Sequence, residues 1–168
     1  HLSLRRQRQM CIRDRFMVGS NAEHGGIIKD GAKLVNAVAN SVVPKFTIIV
    51  GHSFGAGNYA MCGKAYDPRF IVAWPTAKIA VMGGDQAAKV LLQIEKARSK
   101  GISAEKEEKL LKAIHDKYEY QMSPYYAASR LWVDSVIDPA ETRSIISLGI
   151  EASNSSPIER PYNPGIIQ

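Results

Sequence analysis

Residues 46–63 read FTIIVGHSFGAGNYAMCG, and their pattern decides the expected fold. Phe46 to Val50 is a short, continuous apolar run rich in β-branched residues, as in a strand buried on both faces. Gly51 to Gly57 then places three glycines in seven residues, which marks a turn where backbone must come close to something else. Asn58 to Gly63 continues as a short helix. Upstream, apolar residues at 27/28, 31/32, 34/35 and 38/39 have helical spacing, so Ile27 to about Asn40 is an amphipathic helix. Pro44 stops it. Residues 16–26, FMVGSNAEHGG, read as a strand end followed by a loop.

Downstream, Phe70 to Trp74 and Lys78 to Met82 read as two more short strands, separated by Pro75. Gly83-Gly84 opens a helix to about Ser99. Residues 95–119 carry seven basic and six acidic side chains around one apolar stripe, Leu110, Leu111, Ile114 and Tyr118. That balance describes a solvated helix packed by one face. Pro124 to Arg130 forms another helical turn. Asp138-Pro139, with Glu141, starts a last helix with Asp as N-cap and Pro in first position. The proline-rich tail from Ser153 has no periodicity and is expected to wrap the surface or a partner. Strands alternating with helices give an α/β layered fold.

The 168 residues are 45% hydrophobic and 23% charged, enough for one domain with a real core. No run of 18 or more apolar residues is present, so no membrane partner is expected. Two cysteines make no disulfide framework, and no Cys/His spacing calls for a metal. The net charge of +6 points to nucleic acid only until it is located. Residues 1–15, HLSLRRQRQMCIRDR, hold five arginines and one acid, and the rest of the chain is nearly balanced at 17 basic to 15 acidic residues. No nucleic-acid partner is therefore expected. This tip begins without Met, breaks off at Phe16 and resembles translated sequencing-adapter bases. We read 1–15 as such an artefact or an expression-vector remnant, and 16–168 as the domain. The remaining Cys62 fits a reducing compartment.

Two loops offer chemistry. One is Gly25-Gly26-Ile27-Ile28-Lys29-Asp30-Gly31-Ala32-Lys33; the other is Gly51-His52-Ser53-Phe54-Gly55-Ala56-Gly57. Small residues beside helix starts let a ligand oxygen reach backbone N–H groups, as in an oxyanion hole. Tight helix–sheet packing also demands small residues, and spacing does not choose between them. The second loop further matches G-x-S-x-G, the nucleophile elbow of α/β-hydrolases, with Ser53 as nucleophile. His24-Gly25-Gly26 imitates the oxyanion loop of that fold. Against it, only one helix and one strand separate the two loops, and the only later histidine, His115, lies in the charged helix. His24 and His52 read as surface or structural residues, Cys62 as core, and Trp74 and Trp132 as packing anchors. Met82-Gly83-Gly84-Asp85 resembles a phosphate turn but lacks the P-loop Lys-Ser/Thr, so its glycines end a strand.

Longer stretches carry a resemblance. They are FMVG (16–19), GIIKDGAKLVNAVA (26–39), VPKFTIIVGHSFGAGNYAMCGKAYDPRF (43–70), AWPTAKIAVMGGDQAA (73–88), SPYYAASRLWVDSVIDPAETR (123–143) and SPIERP (156–161). In this order they resemble the carboxyltransferase (β) subunits of biotin-dependent acyl-CoA carboxylases. GAGNYAMCGKAYDPRF is most similar to the 3-methylcrotonoyl-CoA and geranyl-CoA type.

The resemblance implies a crotonase-like ββα spiral, with 16–168 as most of the C-terminal carboxyltransferase domain and the chain a fragment that is inactive alone. It implies carboxyl transfer from carboxybiotin to an acyl-CoA, with the biotin oxygen met by backbone amides of Gly31 and Ala32 on one loop and of Gly55 and Ala56 on the other. Phe54, His52 and Gly57 then line the biotin pocket. Biotin arrives covalently on a biotin carboxylase/biotin-carrier partner, other β subunits complete the site, and no cofactor is held tightly here. The implied location is cytoplasmic, or the mitochondrial matrix in a eukaryote. The family usually has Gly at the place of His52 and Tyr at that of Phe54, which leaves the acyl preference open. The rivals are a serine esterase acting through Ser53 and a crotonase-like scaffold without catalysis.

Overall fold

The computed structural model describes residues 20–98 and 104–155. The 1–15 tip and the tail from 156 onward, on which two of the sequence readings fall, lie outside them. The first element of the described residues is helix α1 (Ser20–His24), where a loop was expected; residues 16–19, read as a strand end, lie outside the described residues. Gly25 and Gly26 break it, and Gly26, at φ +87°, turns the chain into α2 (Ile27–Asn40). That left-handed conformation suits glycine, which has no Cβ to clash. Helix α2 spans the expected residues and ends before Pro44.

Strand β1 (Phe46–Ile49) follows, then β2 (His52–Phe54) and α3 (Gly55–Ala60). The glycine segment 51–57 is therefore not one turn. Its middle is a strand, because His52, Ser53 and Phe54 pair in parallel with Lys78, Ile79 and Ala80. The helix begins at Gly55, three residues before the expected start. A 3₁₀ turn at Lys64–Tyr66 leads to β3 (Phe70–Ala73), and β4 (Lys78–Ala80) comes next. Helix α4 (Gly84–Arg98) packs on α5 (Ala104–Met122), the charged helix, and α6 (Pro124–Ser129) packs against α5. Ser123 caps α6 by accepting from the Tyr125 amide at 3.3 Å.

A two-residue strand, β5 (Ser135–Val136), joins the first sheet. It is too short to leave a periodic signal. Asp138 does act as a cap, accepting from the Ala140 amide at 2.8 Å. What it starts is a 3₁₀ turn, Pro139–Glu141, which leads into α7 (Thr142–Ser155).

Among the described residues the strands form two parallel sheets, in the orders β1-β3-β5 and β2-β4. Each turn of the chain thus adds one strand to each sheet and then a helix: β1-β2-α3, then β3-β4-α4. Cross-links hold successive turns in register. The Trp74 amide donates to the Ile49 carbonyl at 2.9 Å, and the Lys78 amide to the Gly51 carbonyl at 3.2 Å. Ile49, Ile71, Ala73, Ala77, Ile79, Ala127 and Val133 make the core between the sheets and α6. It is built from alanines and β-branched residues, so the layers approach closely.

Asp134 fastens the edge of that core. Its carboxylate accepts from the Ile71 amide at 2.8 Å and from Lys64 Nζ at 2.7 Å. Burial pushes this carboxyl up, but the Lys64 and Ile71 hydrogen bonds outweigh it, and it titrates below the ordinary carboxylate range. Trp74 behaves as an anchor, donating from Nε1 to Thr142 Oγ1 at 3.0 Å and so tying β3 to α7. Trp132 is 49% exposed, and its ring meets Tyr126 edge-on at 5.8 Å, so it is only half an anchor. Cys62 is buried as expected, but in the turn after α3 rather than on the helix, at φ +72°.

Candidate functional site

The β2–α3 junction gathers five of the singled-out residues, His52, Phe54, Gly55, Ala56 and Gly57. Gly55 has φ +56°, and a Cβ built there would lie 2.9 Å from the Val81 carbonyl oxygen, just past β4. Both facts require glycine. Phe54, in extended conformation, caps α3 without a side-chain hydrogen bond. The amides of Gly55, Ala56 and Gly57 belong to the first turn of the helix, where no intrahelical acceptor exists. Ala56 is exposed and carries only a methyl group.

Phe54 is buried beneath this turn, and the exposed His52 ring stacks on it with centroids 5.4 Å apart. Strand alternation places His52 and Phe54 on one face of β2 and Ser53 on the other. Beside His52 in the register stands Lys78, whose Nζ donates to Glu119 on α5 at 2.9 Å. That hydrogen bond holds the Glu119 carboxyl below its ordinary range, against a smaller upward push from burial, and Lys78, His115 and His52 add positive charge nearby. Sequence reasoning missed this pair because its members lie 41 residues apart in strand and helix segments with no shared motif.

Gly31 and Ala32 sit inside α2, which packs against α3. The helix ladder opens with the Asp30 amide donating to the Gly26 carbonyl at 3.2 Å. Residues 31 and 32 therefore lie past the first turn, where amides point along the helix axis. Gly31 is buried and Ala32 exposed.

Ser53 is not arranged as a nucleophile. Its Oγ donates to Asn58 Oδ1 at 2.9 Å, a partner that cannot take its proton as a base. His52 faces the opposite side of the strand, and His115 stands four residues before Glu119 on α5. The G-x-S-x-G match thus arises from a strand–helix junction in a different fold. His24 ends the short, exposed α1. Gly83 and Gly84 do lie where β4 gives way to α4. Among the described residues, no cluster of three His, Cys, Asp or Glu could hold a metal ion, and no helix is long and apolar enough to cross a membrane.

The profile of the Carboxyl transferase domain matches residues 15–164. The chain belongs to this family. It is 55% identical over 148 residues to the mitochondrial methylcrotonoyl-CoA carboxylase beta chain of Arabidopsis thaliana, covering 86% of this chain and 25% of that one. It is 48% identical over 149 residues to the biotin-dependent 3-methylcrotonyl-coenzyme A carboxylase beta1 subunit of Mycobacterium tuberculosis, covering 86% and 28%. Among solved structures, the hexameric transcarboxylase 12S with bound methylmalonyl-coenzyme A superposes with a TM-score of 0.76 at 35% identity, over 88% of this chain and 28% of that one. The chain thus spans about a quarter of the length of these curated relatives. The ββα progression of this carboxyl transferase domain is the crotonase-like spiral that the resemblance implied.

Proposed function

We propose that this carboxyl transferase domain forms the biotin-facing part of an acyl-CoA carboxylase β subunit and serves transfer of a carboxyl group from carboxybiotin to an acyl-CoA of the 3-methylcrotonoyl type. The observation that carries the reading is the β2–α3 junction: a glycine that must be glycine opens a helix without a side-chain cap, with Ala56 exposed beside it. Carboxyl transfer leaves negative charge on the biotin ureido oxygen, and fixed amide donors stabilise such charge without reorganising. The amides of Gly55 and Ala56 take this role. Gly57 keeps the turn narrow, Phe54 forms its floor, and His52 borders the pocket. Gly31 and Ala32 enter as the small-residue wall of α2 against α3, with their amides directed along the helix.

Biotin belongs to a partner, a biotin carboxylase/biotin-carrier subunit, and reaches the turn as substrate. Other β subunits supply the acyl-CoA side. Large apolar residues at the surface support such partners: Ile28, Val81 and Leu131 are 75%, 81% and 77% exposed. By the same kinship the enzyme works in the cytoplasm, or in the mitochondrial matrix of a eukaryote.

The test uses the whole β subunit that carries this sequence, assembled with its biotin-bearing partner. Labelled bicarbonate should enter 3-methylcrotonoyl-CoA faster than propionyl-CoA. Incorporation into neither acyl-CoA by a folded assembly overturns the reading.

A further inference from the structure

Strands β2 and β4 end side by side. Phe54 pairs with Ala80, the last residue of each, and in parallel sheets ligands bind at such carboxyl ends. Two residues that follow β4 border the Gly55 turn here. Gly83 lies beside Phe54, where an added Cβ would stand 3.8 Å from Phe54 Cε2. Val81 comes closer, with its carbonyl oxygen 2.9 Å from the Cβ position of Gly55. Strand alternation would return Val81 to the core face beside Ile79. The strand instead stops at Ala80, and Val81 is 81% exposed while Ile79 is buried.

A single exposed valine elsewhere on a surface needs no explanation. This one is fixed in place: its side chain leaves the Cα next to a carbonyl lodged against Gly55, so an apolar group stands at the rim of the turn. Biotin is two fused rings, a ureido ring that carries the oxygen and a saturated, apolar sulfur ring. A ureido oxygen on the Gly55 and Ala56 amides leaves the second ring in need of apolar cover at that rim. We infer that Val81 is a specificity-determining residue of this site, its isopropyl group covering the sulfur ring of biotin. The inference rests on the biotin reading of the β2–α3 turn and adds which part of the molecule its rim selects. What covers Val81 is then the partner's biotin itself rather than a protein surface.

The test measures binding by saturation-transfer NMR on the whole β subunit, assembled with its partner in unbiotinylated form. The probes are biotinamide and 2-imidazolidinone, which share the ureido group and differ in the sulfur ring and its chain. Val81→Thr keeps the side-chain shape and replaces one methyl by a hydroxyl, and at an exposed position it should leave the fold intact. It should weaken biotinamide about three- to tenfold and leave 2-imidazolidinone unchanged. Val81→Ile should bind biotinamide as the wild type does. Unchanged biotinamide affinity in Val81→Thr overturns the inference and leaves the turn as the biotin site. Equal weakening of both probes also overturns it, since Val81 then acts through Gly55 rather than on the ring. So does a change of subunit assembly on sedimentation without selective loss of biotinamide, which assigns Val81 to a protein contact. Binding of neither probe by the wild-type assembly overturns the reading of the turn together with the inference.

Discussion

The Val81 carbonyl oxygen stands 2.9 Å from the point that a Cβ on Gly55 would occupy. One strand end thus dictates the residue type at the start of a helix in the neighbouring turn of the spiral. Gly55→Ala must move backbone, and it also forces an L side chain into a left-handed conformation. We expect a loss of about 1–3 kcal/mol, measured by urea unfolding. An unchanged midpoint contradicts the close approach.

A second glycine is fixed from the opposite side. A Cβ on Gly149 of α7 would lie 2.5 Å from Phe70 Cε1 and 3.1 Å from Phe46 Cε1. Those two rings stack at 4.7 Å and bridge β1 and β3. Gly149→Ala should therefore overpack this contact and cost about 1–3 kcal/mol. Thermal melts of the variant give the answer, and a melting temperature equal to wild type refutes the packing.

Ser53→Ala separates the hydrolase imitation from the fold. The hydroxyl only hydrogen-bonds Asn58, so its removal should cost about 1 kcal/mol of stability. Fluorophosphonate probes should label neither protein. Labelling of the wild type that disappears in Ser53→Ala restores the serine-nucleophile reading.

Acid should loosen the Asp134 fastening. A carboxyl held below its unfolded value stabilises the fold at pH above about 4 and loses that contribution as pH falls through its folded value. The wild type should therefore lose stability below pH ~4 more steeply than Asp134→Asn, which keeps an acceptor for the Ile71 amide but not the charge. Melting temperatures across that range decide it, and parallel curves exclude a role for the charge. Because the Lys64–Asp134 pair is partly exposed, salt should narrow the difference.

Much of this was legible in the chain. The helical spacing of 27–39 and the apolar run 46–49 gave α2 and β1 because each has one dominant period. Strand β2 was hidden because three glycines outvote three strand residues in a seven-residue window, and only pairing with Lys78–Ala80 reveals it. Helix α1 and strand β5 are too short for a periodic signal. Gly55 and Ala56 stood out as small residues of a turn, although the helix they open was expected only from Asn58. That the Val81 carbonyl makes Gly55 obligatory could not be read, since it depends on a residue 26 positions away. Gly31 and Ala32 looked equivalent in the sequence, but α2 starts early enough to bury their amides in the helical ladder.

The most direct measurement removes one amide and nothing else. Ala56 occupies the first turn of α3, where proline is tolerated, and Ala56→Pro deletes the N–H while keeping the helix. In the assembled β subunit with its biotin-bearing partner, this variant should lose about 10²–10³-fold in kcat with unchanged circular dichroism and acyl-CoA KM. Wild-type turnover by a folded Ala56→Pro subunit contradicts the assignment of the β2–α3 amides to the chemistry.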